Sequence, residues 1–161
     1  MRPEVATDAA ALIEPDGSLR QVGPLRQPRF KHAMVALPTG EVLVIGGTDD
    51  DQRLLRSTEV FNPRTGTFRA GPSLASGRYK LSGAAAALPD DRVIVAGGGP
   101  EVEVIDLDAG TSRTIQTGAT DQVWASFSTV SVLPDRVLVL GGYDQRINLT
   151  GLHELLPIDQ L

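Results

Sequence analysis

The sequence predicts an all-β fold built from stacked, four-stranded antiparallel sheets, and three observations carry that expectation. One phrase recurs, as "LPTGEVLVIGG" at 37–47, "LPDDRVIVAGG" at 88–98 and "LPDRVLVLGG" at 133–142. Each copy sits among short apolar runs separated by turns rich in Pro, Gly and Asp, the punctuation of short strands. No stretch combines a 3.6-residue apolar period with the caps a helix needs.

Each repeat breaks into four elements. Strand a is apolar and small in "HAMVAL", "GAAAAL" and "STVSVL". The four alanines Ala84–Ala87 suit a place where several strands converge. A tight turn follows ("PTGE", "PDDR", "PDR"), in which Pro presets φ and Gly or Asp accepts the turn geometry. Strand b, "VLVI", "VIVA" or "VLVL", is the β-branched and aliphatic run expected of a strand buried on both faces. It ends in a glycine pair, whose freedom at positive φ marks a sharp exit from a strand rather than a phosphate cradle, since no helix follows. Strand c reads "STEVFNP", "EVEVIDL" and "LHELLPI", with Glu59, Glu103 and Glu154 in one place. Strand d is clearest in "NPRTGTFRAGPSL" and weaker in "DLDAGTSRTIQTG". The N-terminal "AALIEPDGSLRQVGPL" repeats only the c–turn–d half. The chain therefore reads c–d, a–b–c–d, a–b–c–d, a–b–c.

Four short strands per repeat of roughly 45 residues, with glycine pairs at one strand end, are the signature of β-propeller blades. Within Arg29–Phe68 the pattern "R…H…LP-G-VLV-GG…STEVFNP-TG-F" resembles the kelch repeat. The resemblance thins along the chain. Phe68 of strand d has no aromatic counterpart in the second copy, where Thr114 and Ile115 sit nearby. Phe61 of strand c becomes Ile105, and the arginine present as Arg29 and Arg78 is replaced around Trp124. The whole chain, 1–161, is read as one propeller segment: a partial c–d blade at 9–25, blades at 29–74 and 76–118, and a partial a–b–c blade at 124–161. Three blades are too few to close a ring, because closed propellers have at least four. The expectation is a homodimer that completes a six-bladed ring head to tail. The alternative is that the chain is part of a longer propeller.

Bulk composition narrows the function classes. With 161 residues and 41% hydrophobic residues, the chain can bury a real core. A net charge of −5 argues against a nucleic-acid surface. Cysteine is absent, which removes disulfides, thiolate metal sites and the cysteine-linked tyrosine radical of the kelch-like copper oxidases. No apolar run reaches the length of a membrane span and the N-terminus lacks a signal-peptide core, so the default compartment is the cytoplasm, with secretion as the alternative. With only His32 and His153, a histidine metal site lacks ligands, and His32 is expected to make a structural hydrogen bond. The acidic "TDDDQ" at 48–52 lacks the spacing of a calcium loop. No cofactor, metal or catalytic residue is expected.

Alternating strand direction puts the b–c and d–a loops on one face, and these loops vary most in sequence. Variable insertions on one face of a repeat protein mark its binding side. The candidate contact residues are Arg29, Arg53, Arg78, Tyr79, Trp124, Tyr143, Asp144 and Arg146. The bland alternative makes Arg29 and Arg78 ion-pair partners between blades and puts Trp124 in the core. The resemblance implies a protein- or peptide-binding module with no catalysis of its own. The reading from another class is a carbohydrate-binding or hydrolytic propeller, with Asp50 and Asp144 meeting at the ring centre.

Overall fold

The computed structural model describes residues 5–50, 52–99, 101–116, 126–144, 146–149, 151 and 153–161. The elements run β1 (Ala11–Ile13), β2 (Leu19–Gln21), β3 (Ala33–Ala36), β4 (Val42–Ile45), β5 (Thr58–Asn62), β6 (Thr67–Ala70), β7 (Ala85–Ala87), β8 (Val93–Ala96), β9 (Val102–Asp106), β10 (Thr111–Ile115), β11 (Thr129–Val132), β12 (Arg136–Leu140) and β13 (His153–Pro157). A short 3₁₀ turn over Ile158–Gln160 follows. Among the described residues, no helix is long and apolar enough to cross a membrane.

The strands form four antiparallel sheets, in the orders β1-β2, β3-β4-β5-β6, β7-β8-β9-β10 and β11-β12-β13. They are a c–d hairpin, two complete blades and a blade with a, b and c. Registers repeat from blade to blade: Val44 faces Glu59, Val95 faces Glu103 and Val139 faces Glu154. The residue opposite Ile105 is Ser112, neither Thr114 nor Ile115, whereas Phe61 faces Phe68 with ring centroids 4.8 Å apart. The aromatic pair of the first blade is thus an Ile–Ser pair in the second, and the Ser112 hydroxyl is used to bond Glu103 at 2.8 Å.

Innermost are the a strands: β7 packs against both β3 and β11. Alanine at 85–87 leaves room for that approach. Each b strand lies under a neighbouring blade, so β8 is buried at every residue. One core cluster joins Leu43, Ile45 and Val60 of the first blade to Val93, Val95 and Ile105 of the second. The next joins Ile94, Ala96 and Val104 of the second blade to Val137, Val139 and Leu156 of the third. Burying each such aliphatic side chain contributes roughly 1.5–3 kcal/mol, the term that stacks the blades. The third blade offers Leu138, Leu140 and Leu155 at the places of Leu43, Ile45 and Val60, yet Leu140 is 43% and Leu155 53% exposed. On the opposite side of the stack Met34 is 67% exposed. Among the described residues β13 pairs only with β12, so it has no d strand.

Close backbone approach explains the first glycine pair, to the second blade at Gly46 and within its own blade at Gly47. A Cβ on Gly46 would come within 2.7 Å of the Arg78 carbonyl oxygen, and one on Gly47 within 2.7 Å of that of Phe30. Both also hold positive φ, at 59° and 98°.

Candidate functional site

The loop face is built on two buried arginines. Arg29 leaves the segment before β3 and is 1% exposed. Its Nη1 donates to the carbonyls of Gly46 (2.7 Å) and Ser57 (3.0 Å), and its Nη2 to Glu59 Oε1 at 2.7 Å and Ser57 Oγ at 3.0 Å. Glu59 also accepts the backbone N–H groups of Arg26 and Gln27. One ion pair therefore ties the entry of the blade to strand c and to the glycine turn.

Arg78 repeats the device in the second blade with no exposure. It donates through Nε and Nη2 to Glu103 Oε1, at 3.0 and 2.6 Å, and through Nη1 to the Gly97 carbonyl at 3.0 Å. Glu101 Oε2 lies 3.5 Å away. Burial alone would raise the Glu103 carboxyl, but the Ala75 N–H, the Arg78 charge and hydrogen bonds, and the Ser112 hydroxyl outweigh it and hold it below the usual range. These facts correct the place of Arg29 and Arg78 in the contact set. Their guanidiniums are desolvated and consumed within the fold, and neither can reach a partner. They also do not bridge blades, since each carboxylate partner belongs to the arginine's own blade.

Two residues after each arginine the chain turns through a left-handed corner, at Lys31 (φ 57°) and Lys80 (φ 55°); Phe127 (φ 59°) holds the corresponding corner of the third blade. The corners are linked in series. The Leu81 N–H donates to the Lys31 carbonyl at 3.4 Å and the Phe127 N–H to the Lys80 carbonyl at 3.2 Å. Lys80 Nζ stands 5.0 Å from the ring centroid of Tyr79 and 5.4 Å from that of Tyr143, within cation–π range. Tyr143 in turn packs on Phe127 at 5.5 Å. The structure thus brings Tyr79 and Tyr143 together around a lysine that the sequence reading did not single out. Its signal was available: "RFKH" and "RYKL" place an aromatic and a lysine after both arginines.

The other candidates lie in the b–c loops. Thr48 bridges Phe30 and Leu54, and Tyr143 bridges Ser126 and Leu149 in the same way, so the first and third blades share a loop frame. Arg53 is exposed, with Nη1 3.7 Å from Asp49 Oδ2. Arg146 is exposed as well. Asp144 is spent on its own loop: Oδ1 accepts the N–H groups of Arg146 and Asn148, and Oδ2 the Asn148 side-chain amide at 3.0 Å. Those bonds, led by the Asn148 side chain, hold the Asp144 carboxyl below its ordinary value. Asp50 is lowered likewise, first by the Arg53 N–H and then by that of Gln52. Trp124 falls outside the described residues.

The Nδ1 of His32 is buried without a hydrogen-bond partner among the described residues. Burial, then the Arg29 charge, pushes its imidazole below the usual value. Among the described residues no group of three His, Asp or Glu is set to hold a metal. A cleft of about 660 Å³ lies at the opposite end of the blades, lined by residues of the a–b turns such as Asp90 and Asp135. Asp90 and Asp135 are paired with Arg92 and Arg136.

Residues 29–75 match the family model of the kelch motif, a span that begins at Arg29 and contains the whole sheet β3–β6. No curated protein matches the chain.

Proposed function

Starting from a chain whose first full blade is a kelch motif, we propose that it is a protein- or peptide-binding module, without catalysis of its own, that takes its partner on the b–c and d–a loop face. The observation that supports this best is the cluster of Tyr79, Lys80, Phe127 and Tyr143 on that face, with the exposed Arg53 and Arg146 in the flanking loops. Aromatic and arginine side chains supply most binding energy at protein interfaces. The carboxylates that a hydrolytic site would use, Asp50 and Asp144, are instead held as loop-bound anions. A general acid needs a raised value.

We further propose that two copies close head to tail, the uncovered third-blade face of one meeting the Met34 side of the other. The repeated blade contact supports this, since Leu138, Leu140 and Leu155 occupy the positions that the next blade covers twice within the chain.

The test of the binding face is capture of peptides from a displayed random library. Arg53→Glu with Arg146→Glu should reduce capture without lowering the melting temperature. Undiminished capture by that variant would remove the loop face as the site.

A further inference from the structure

Lys80 is held in an unusual way for an ordinary surface lysine. Its backbone is left-handed, a conformation that few non-glycine residues adopt and that is enriched in Asn and Asp rather than Lys. Yet lysine stands at the same corner in both complete blades. The fold needs the corner, and glycine would satisfy it at lower cost. Something other than the backbone therefore accounts for the side chain.

Its surroundings point outward. Arg78, two residues before, takes Glu103 at 2.6 Å and Glu101 at 3.5 Å. Among the described residues no carboxylate pairs with Lys80, whose ammonium lies against the faces of Tyr79 and Tyr143. Asp144, the acid that follows Tyr143, is saturated by its own loop. Beyond Tyr143 the surface is apolar, with Phe127 45%, Ile147 76% and Leu149 91% exposed. Ile147 is itself left-handed at φ 64°, a strained state for a β-branched residue.

Building on the binding-face reading, we propose that this corner recognises an acidic peptide segment. A carboxylate of the segment meets Lys80, and a neighbouring apolar side chain lies over Phe127 and Tyr143. Burial partly desolvates the ammonium and the Tyr143 and Tyr79 side chains bond it in turn, so a carboxylate that reaches its remaining N–H gains a charge-assisted hydrogen bond. In a chain of net charge −5 the general field repels acidic ligands. Attraction must therefore be local, which makes one lysine decisive and the contact specific.

The experiment pans the same random peptide library on the whole chain, then measures the best fluorescein-labelled peptide by anisotropy against wild type, Lys80→Gly and Lys80→Arg. Enriched peptides should carry Asp or Glu beside an aliphatic or aromatic residue. Lys80→Gly should weaken binding by about tenfold or more, since bonds to a charged group are worth roughly that much. The same variant should melt at the wild-type temperature or above, because glycine relaxes the corner. Lys80→Arg should stay within about threefold of wild type. If Lys80→Gly melts lower and binds unchanged, the lysine is a structural filler and the proposal falls. Neutral or basic peptides that still lose capture on Arg53→Glu with Arg146→Glu would overturn acid recognition and leave the binding face standing. Failure to select any peptide, or peptides indifferent to every loop-face substitution, would overturn both.

Discussion

Arg78 carries a full charge at zero exposure, and only its carboxylate and carbonyl partners make that tolerable. Arg78→Ala would leave Glu103 buried and unpaired, and urea unfolding should show a loss of about 3–5 kcal/mol. The pair also sets an acid limit. The folded Glu103 carboxyl lies below its ordinary value, so its contribution is whole above the unfolded carboxylate range, near ~4.3. It is lost as pH falls through the folded value. Stability measured from pH 6 downward should bend in that range, and Glu103→Gln should flatten the bend while lowering the plateau. Ile147 offers the reverse case. It is exposed and left-handed, so Ile147→Gly should stabilise the fold by about 1 kcal/mol in the same assay.

At the scale of the element, one register position has two fates. Ile45, at the end of β4, is fully buried under the second blade, while Leu140, its counterpart in β12, is 43% exposed. In dilute, dissociated chain, Ile45→Ala should cost about 2–5 kcal/mol by denaturant titration, because it opens a cavity in the first blade contact. Leu140→Ala should cost less than about 1 kcal/mol there, because little is packed on it. Equal losses would mean that the third blade is covered within a single chain. Among the described residues no strand lies beyond β13, so it is an edge strand, the kind of element to which another strand can add.

For the whole molecule, the head-to-tail dimer proposed above would bring the exposed Leu140 and Leu155 of one copy against the Met34 side of the other. Light scattering over a range of concentrations should give a species near twice 17.1 kDa. Leu140→Asp with Leu155→Asp should return it to monomer, because two carboxylates would then be buried at the contact. A wild-type monomer at every concentration would rule out the head-to-tail ring. A heterologous contact closes into a ring only when its rotation returns to the start, so a ladder of larger species would also count against it.

The strands and their order were legible in the sequence. Runs such as "VLVI" and "VIVA", bounded by Pro-, Asp- and Gly-rich turns, are local signals, and a repeated local signal yields a repeated sheet. The alignment of Glu59, Glu103 and Glu154 was legible for the same reason. What Arg29 and Arg78 do was decided only by the tertiary structure. Arg29 meets Glu59 across 30 residues, and Arg78 meets Glu103 across 25. Whether an arginine reaches a partner or is buried on a carboxylate depends on which strand folds back over it, and the same residue types serve both ends. The lysine corner was hidden for a related reason. The repeated "RFKH" and "RYKL" marked the lysines, but neither Lys nor Phe is a residue type that signals left-handed backbone, so the corner itself at Lys31, Lys80 and Phe127 did not show. Ser112 facing Ile105 was hidden too, since the register of a strand with weak alternation is set by the hairpin that precedes it and not by its own side chains.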